Sequence, residues 1–116
     1  SAKAGSARVL QEQRQRAERL LAGDGGEPDI DGALDAFAEM AEQAMQLGDR
    51  PAEAVATLGM ADCLAKPKEV DDKLVLAMYR KAQGLAQEVG DAELEFRAAV
   101  GTAELQHALR RQKEAV

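Results

Sequence analysis

Residues 44–61 read AMQLGDRPAEAVATLGMA, and residues 86–103 read AQEVGDAELEFRAAVGTA. Laid over each other at an offset of 42, they agree at Ala44/Ala86, Gly48/Gly90, Asp49/Asp91, Glu53/Glu95, Ala56/Ala98, Gly59/Gly101 and Ala61/Ala103. Extending the overlay to residues 31–65 and 73–107 adds Leu34/Leu76, sets Phe37 on Tyr79 and sets Leu58 on Val100. Self-similarity at such a period is the signature of stacked structural repeats. Within it, each Gly-Asp pair has its own chemistry. Glycine takes the left-handed conformation that closes a helix, and an aspartate side chain accepts the free backbone N–H groups that open the next. Two tight helix-to-helix turns are therefore expected, one in each repeat. Gly59 and Gly101 fall inside expected helices, where glycine costs about 1 kcal/mol relative to alanine. Their recurrence at the repeat period predicts that a neighbouring helix approaches closely at the same place in both units.

Outward from these turns, the punctuation places five helices. The first covers 6–22, with Leu10, Ala17, Leu20 and Leu21 on one side and Glu12 four residues before Arg16, and it stops at GDGGEPD. A second, over 30–47, carries Ile30, Leu34, Phe37, Ala41, Ala44 and Leu47 at three- and four-residue spacing. The third covers 50–65 and ends before Lys66-Pro67, since proline disfavours helix in the residue before it. A fourth, over 70–89, has a stripe of Leu74, Met78, Ala82, Leu85 and Val89; a fifth begins after Gly90-Asp91 with Leu94, Ala98, Gly101, Leu105 and Ala108. Composition agrees, because alanine fills 24 of the 116 positions and leucine 13, tryptophan is absent, and valine, isoleucine and threonine together number ten. That palette suits helices packed through small side chains and not strands. The expected fold is all-α, a single domain over 1–116.

At EAVATLGMA (53–61), EFRAAVGTA (95–103) and the preceding AMQLGD and AQEVGD, the chain resembles the tetratricopeptide repeat family, in its longer-period form. The family's Leu-Gly pair is met by Leu58-Gly59 and Val100-Gly101, and the small residue two positions on by Ala61 and Ala103. The resemblance covers roughly residues 30–109. The 6–22 helix matches only with Ala17 in the glycine register, and Asp62 and Glu104 stand where the family often has an aromatic or cysteine. RRQKEAV at 110–116 reads as the start of a further, truncated repeat helix. The resemblance implies antiparallel helix pairs stacked as a right-handed solenoid, with a concave face that holds protein or peptide segments. In the family's register the groove would be formed by Glu53, Ala56, Met60, Cys63 and Leu64 from one repeat, and by Glu95, Ala98, Thr102, Leu105 and Gln106 from the next. Such a groove is apolar with two acidic posts and suits a basic or mixed apolar segment. The family's carboxylate-binding subclass uses asparagine in its groove, and this chain has none.

Reactive constellations are missing from the sequence. There is no GxxxxGK[ST] or GxGxxG stretch to cradle phosphates. A Ser-His-Asp triad would have to join His107 to Ser1 or Ser6 with no oxyanion loop. Cys63 stands near the C-terminal end of its helix beside Asp62, where both dipole and charge disfavour a thiolate. One cysteine and one histidine cannot supply a structural zinc site or an internal disulfide. The expectation is a non-enzymatic interaction or scaffold module without cofactors, in a reducing intracellular compartment. The alternative is a calcium-responsive helix-loop-helix switch over EPDIDGALDAFA (27–38), with Glu27, Asp29, Asp31 and Asp35 as ligands. Against it, the twelfth position is Ala38 instead of a bidentate glutamate, and Asp29 or Asp31 serves equally as a helix cap.

Charge narrows the partners. The net charge is -6, and residues 23–65 carry ten acids against one base, while residues 1–22 carry five bases and two acids. Phosphate neutralisation needs clustered Lys and Arg, so nucleic acid is not an expected partner of the acidic stretch. No run approaches the 18 or so apolar residues of a membrane span. The exposed end helices of a repeat stack leave self-association open.

Overall fold

The computed structural model describes residues 2–67 and 69–115. These residues form five α-helices and no strand: α1 (Ala2–Ala22), α2 (Ile30–Leu47), α3 (Arg50–Leu64), α4 (Asp72–Val89) and α5 (Ala92–Glu114). Each helix packs on the next in sequence, with α3 also touching α1 and α5 more lightly. The result is an all-α array of antiparallel hairpins measuring 57 × 35 × 20 Å. No helix among the described residues is long and apolar enough to cross a membrane.

Both Gly-Asp turns take the expected form. Gly48 and Gly90 adopt φ of 69° and 74°, and Asp49 N–H and Asp91 N–H return to the carbonyls of Ala44 and Ala86 at 2.8 and 2.9 Å. The same two aspartates then open α3 and α5, their carboxylates accepting from Ala52 N–H and Leu94 N–H, each at 3.0 Å. Asp29 and Asp71 cap α2 and α4 in the same way. All four connections between helices therefore end in an aspartate cap. With only two residues in each Gly-Asp turn, α2 and α3 must lie side by side and antiparallel, as must α4 and α5.

The internal glycines meet aromatic rings. A Cβ at Gly59 would lie 2.5 Å from ring carbons of Phe37, and one at Gly101 would lie 2.5 Å from Cζ of Tyr79. Phe37 and Tyr79 are themselves 42 residues apart, so the close approach expected of both glycines is one interaction made twice. The two rings are 3% and 4% exposed. Around them the core falls into three clusters. Phe37 joins Ala17, Ala33, Ala36 and Cys63; Leu10 joins Met40, Ala44 and Ala56; and Tyr79 sits in the largest, with Leu58, Val75, Leu85 and Leu94.

Four expectations need correcting. Helix α1 begins at Ala2 and not at residue 6, because nothing in AKAGSA breaks a helix already favoured by alanine. In α4, Ala82 and Leu85 of the expected stripe are buried, but its first half is Val75 and Tyr79 in place of Leu74, which is exposed, and Met78, since Tyr79 faces Gly101; Ala86 is buried at its end. In α2, Phe37 and Ala44 of the expected stripe are buried, but Leu47 is exposed at the turn, and Ala33, Ala36 and Met40 are buried beside them. Residues 110–114 of the supposed truncated repeat continue α5 to Glu114, with no glycine or proline after Gly101 to end it; Val116 lies outside the described residues.

Candidate functional site

A cleft lies between α5 and the connection from α3 to α4, and it is built around Tyr79. Its ring is held against Gly101, where the absence of a side chain leaves room. Its hydroxyl donates to Asp62 Oδ1 of α3 at 2.7 Å. One aromatic side chain thus ties three helices together and fixes the floor of a cleft of about 500 Å³. Val70 and Pro67 of the connection form one wall, and Leu105, Ala108 and Leu109 of α5 the other. Glu69, Asp72 and Glu104 also line it. A smaller hollow of about 260 Å³ shares Tyr79, Gly101 and Glu104 with it and extends over Asp62, Arg97, Val100 and Phe96.

The electrostatics of this place are acidic and partly dry. Burial, then the hydrogen bond to Asp62 and that group's negative charge, hold the Tyr79 phenol well above its ordinary range, with Glu104 and Cys63 adding to the effect. Burial also pushes the Cys63 thiol up to about 11, helped by Asp62 and opposed by Lys66. A thiol so raised is protonated at neutral pH and is a poor nucleophile.

The residues expected to form a groove are divided by the structure. Ala56, Cys63 and Ala98 are buried in core clusters, so they support the packing of α3 and α5 without offering surface. Glu53 is buried too; its carboxylate lies 3.6 Å from Arg50 and 4.0 Å from Lys81, binding the start of α3 to α4. Glu95 is partly exposed and accepts a hydrogen bond from Gln87 at 2.9 Å. Met60 and Leu64 are half-buried, Met60 against the Phe37 cluster and Leu64 against the Tyr79 cluster. Thr102 is half-buried with its hydroxyl turned to Ala98 O, and Gln106 is exposed. Of the ten, Leu105 alone lines the cleft.

Asp62 and Tyr79 are missing from the expected groove as a pair, although the sequence carries a signal for them. In the first repeat, the positions equivalent to Tyr79 and Asp62 hold Phe37 and Leu20, both apolar and packed in one cluster. In the second repeat both are polar together, which is the pattern a hydrogen bond between them would leave.

For the calcium alternative, Asp29 commits a carboxylate oxygen to Gly32 N–H at 2.9 Å as the cap of α2. Among the described residues no three of His, Cys, Asp and Glu are gathered as a metal ion would need. No family model, curated protein or solved structure matches the chain.

Proposed function

We propose that the protein is a non-catalytic interaction module of the tetratricopeptide kind, which holds a protein or peptide segment bearing an apolar anchor flanked by basic residues. The observation that carries this reading is the cleft over Tyr79, whose lining sets Val70, Leu105 and Leu109 beside Glu69, Asp72 and Glu104. An apolar side chain entering beside Val70, Leu105 and Leu109 would leave water, at about 25 cal/mol per Å² buried. Lysine or arginine on either side would then reach Glu69, Asp72 and Glu104, contributing more to orientation and on-rate than to affinity. The 42-residue repeat and its paired glycine contacts support the family reading.

Selection from a phage-displayed peptide library, followed by fluorescence anisotropy with the recovered peptides, tests the proposal. Peptides with an apolar residue between basic ones should be enriched. Leu105→Ala and Glu104→Lys should each weaken them by roughly tenfold, about 1.4 kcal/mol. Recovery of no common pattern, or of peptides indifferent to both substitutions, would refute it.

A further inference from the structure

Along α5, Glu93, Phe96, Val100, Ala103, His107 and Arg110 recur at alternating spacings of three and four, the spacing of a helix seam. All six are exposed, Phe96 by 68% and Val100 by 36%. Their equivalents on α3 have the opposite fate. Ala54, Leu58 and Ala61, which stand 42 residues before Phe96, Val100 and Ala103, are at most 2% exposed, because α4 covers them. The stripe on α5 is thus the packing face of a repeat with no helix over it among the described residues.

We propose that this face pairs with itself, a second copy of the chain laying its α5 antiparallel on the first across a two-fold axis near residues 101 and 102. Charge fixes the direction. Before the axis α5 holds Glu93 and Glu95 against Arg97, a net negative charge, and after it Arg110, Arg111 and Lys113 against Glu104 and Glu114, a net positive one. An antiparallel pair sets the acidic half of each helix on the basic half of the other; a parallel pair would set like on like. In this register Glu93 faces Arg110, Phe96 faces His107 and Val100 faces Ala103, each contact made twice as two-fold symmetry requires. The bulk of Phe96 also argues against a helix placed as α4 is placed on α3. At the equivalent point α3 has only Ala54, and a phenyl ring there would hold such a helix off. In the self-paired register the phenyl ring instead meets an imidazole, and the small Ala103 makes room for Val100.

A seam of one helix on one helix is a small interface, so association in the micromolar range is expected. Sedimentation velocity from about 5 μM to about 500 μM should show the mass rising from one chain to two and stopping there. Phe96→Ala should weaken the dimer by about tenfold while leaving helicity and the unfolding midpoint unchanged, since the ring is exposed in the monomer. Glu93→Arg and Arg110→Glu should each weaken it by roughly three- to tenfold, and the double variant E93R/R110E should restore it, because it rebuilds both cross-pairs with signs exchanged. The proposal is overturned by a chain that stays monomeric throughout, by growth past two copies as in head-to-tail stacking, by a dimer indifferent to Phe96→Ala, or by a double variant no better than the singles.

Discussion

Replacing Gly59 by alanine sets two known effects against each other, and the structure decides between them. In an open helix interior the change is stabilising by about 1 kcal/mol, because alanine loses less backbone freedom on folding. At Gly59 the new Cβ would stand 2.5–2.6 Å from three carbons of the Phe37 ring. Ordinary carbon contacts begin about 1 Å farther out, so the ring or the whole of α2 must move by that much. The ring is 3% exposed and packed among Ala17, Ala33, Ala36 and Cys63, which leaves it no empty space to enter. Overpacking of this kind costs roughly 1–3 kcal/mol. With the helix gain set against it, the expected net loss is about 1 kcal/mol, or about 3–5 °C in the unfolding midpoint for a chain of this length. Gly84 supplies the control, since it also lies within a helix but a Cβ added there would meet nothing within 4 Å. Gly84→Ala should raise the midpoint by a few degrees, about 0.5–1 kcal/mol. Differential scanning calorimetry on both variants, and on Gly59→Ala combined with Phe37→Leu, measures the coupling directly. If Gly59→Ala proved as stabilising as Gly84→Ala, or if shrinking Phe37 gave no relief, the stacked-repeat packing would be refuted.

Tyr79→Phe removes the donor to Asp62 and should cost about 1.5–3 kcal/mol in urea denaturation, the range for a hydrogen bond to a charged group. It should also flatten the alkaline limb of the stability profile. The phenol of the unfolded chain ionises near pH ~10 and that of the folded chain well above it. The folded state therefore keeps its proton where the unfolded state has lost it, so stability is full below that pH and falls above it. The Cys63 thiol, raised from 9.0 to about 11, adds to the same decline from lower pH. A phenylalanine variant with unchanged stability and an unchanged alkaline slope would remove the assigned hydrogen bond. For Cys63 itself, reaction with a disulfide reagent near pH ~8 should run about a hundredfold below a small-molecule thiol, from thiolate fraction alone, and reach that thiol's rate only on unfolding. Fast labelling of the native chain would contradict its burial.

Local chemistry explains what is legible in the sequence. The ends of α2 can be read because Asp29 and Gly48 state them by capping, and α5 starts where Asp91 does. The glycine contacts are legible because a costly residue recurs at the repeat period. Residues 110–114 mislead because a run of charge looks like a new surface helix, whereas only a breaker would separate it from α5. The groove residues are less legible for a different reason. Family register assigns a helix face, but whether that face is open depends on how closely its neighbours approach, and small residues such as Ala56 and Ala98 mark close approach. Glu53 looks like an acidic post because its charge is visible in the sequence, while Lys81, which lies near it across a helix boundary, is 28 positions away.

The two repeats share a backbone plan but not a polarity, and that difference bears on where binding chemistry is found. Phe37 lies in a cluster with Leu20 and Cys63 half- or fully buried around it, so the first inter-helix groove closes on itself as a dry core. Tyr79 occupies the equivalent position in the second repeat, yet its hydroxyl needs a partner, and a buried phenol without one would cost about 1–3 kcal/mol. Asp62 meets that need and, in doing so, brings a carboxylate to the edge of the cluster. Once an acid is there, the groove cannot be sealed with apolar side chains without stranding the charge. The opening beside Tyr79, which Glu104 also lines, follows from that constraint. The first repeat thus serves as packing for the second, and the polar pair that distinguishes them is what keeps the second accessible.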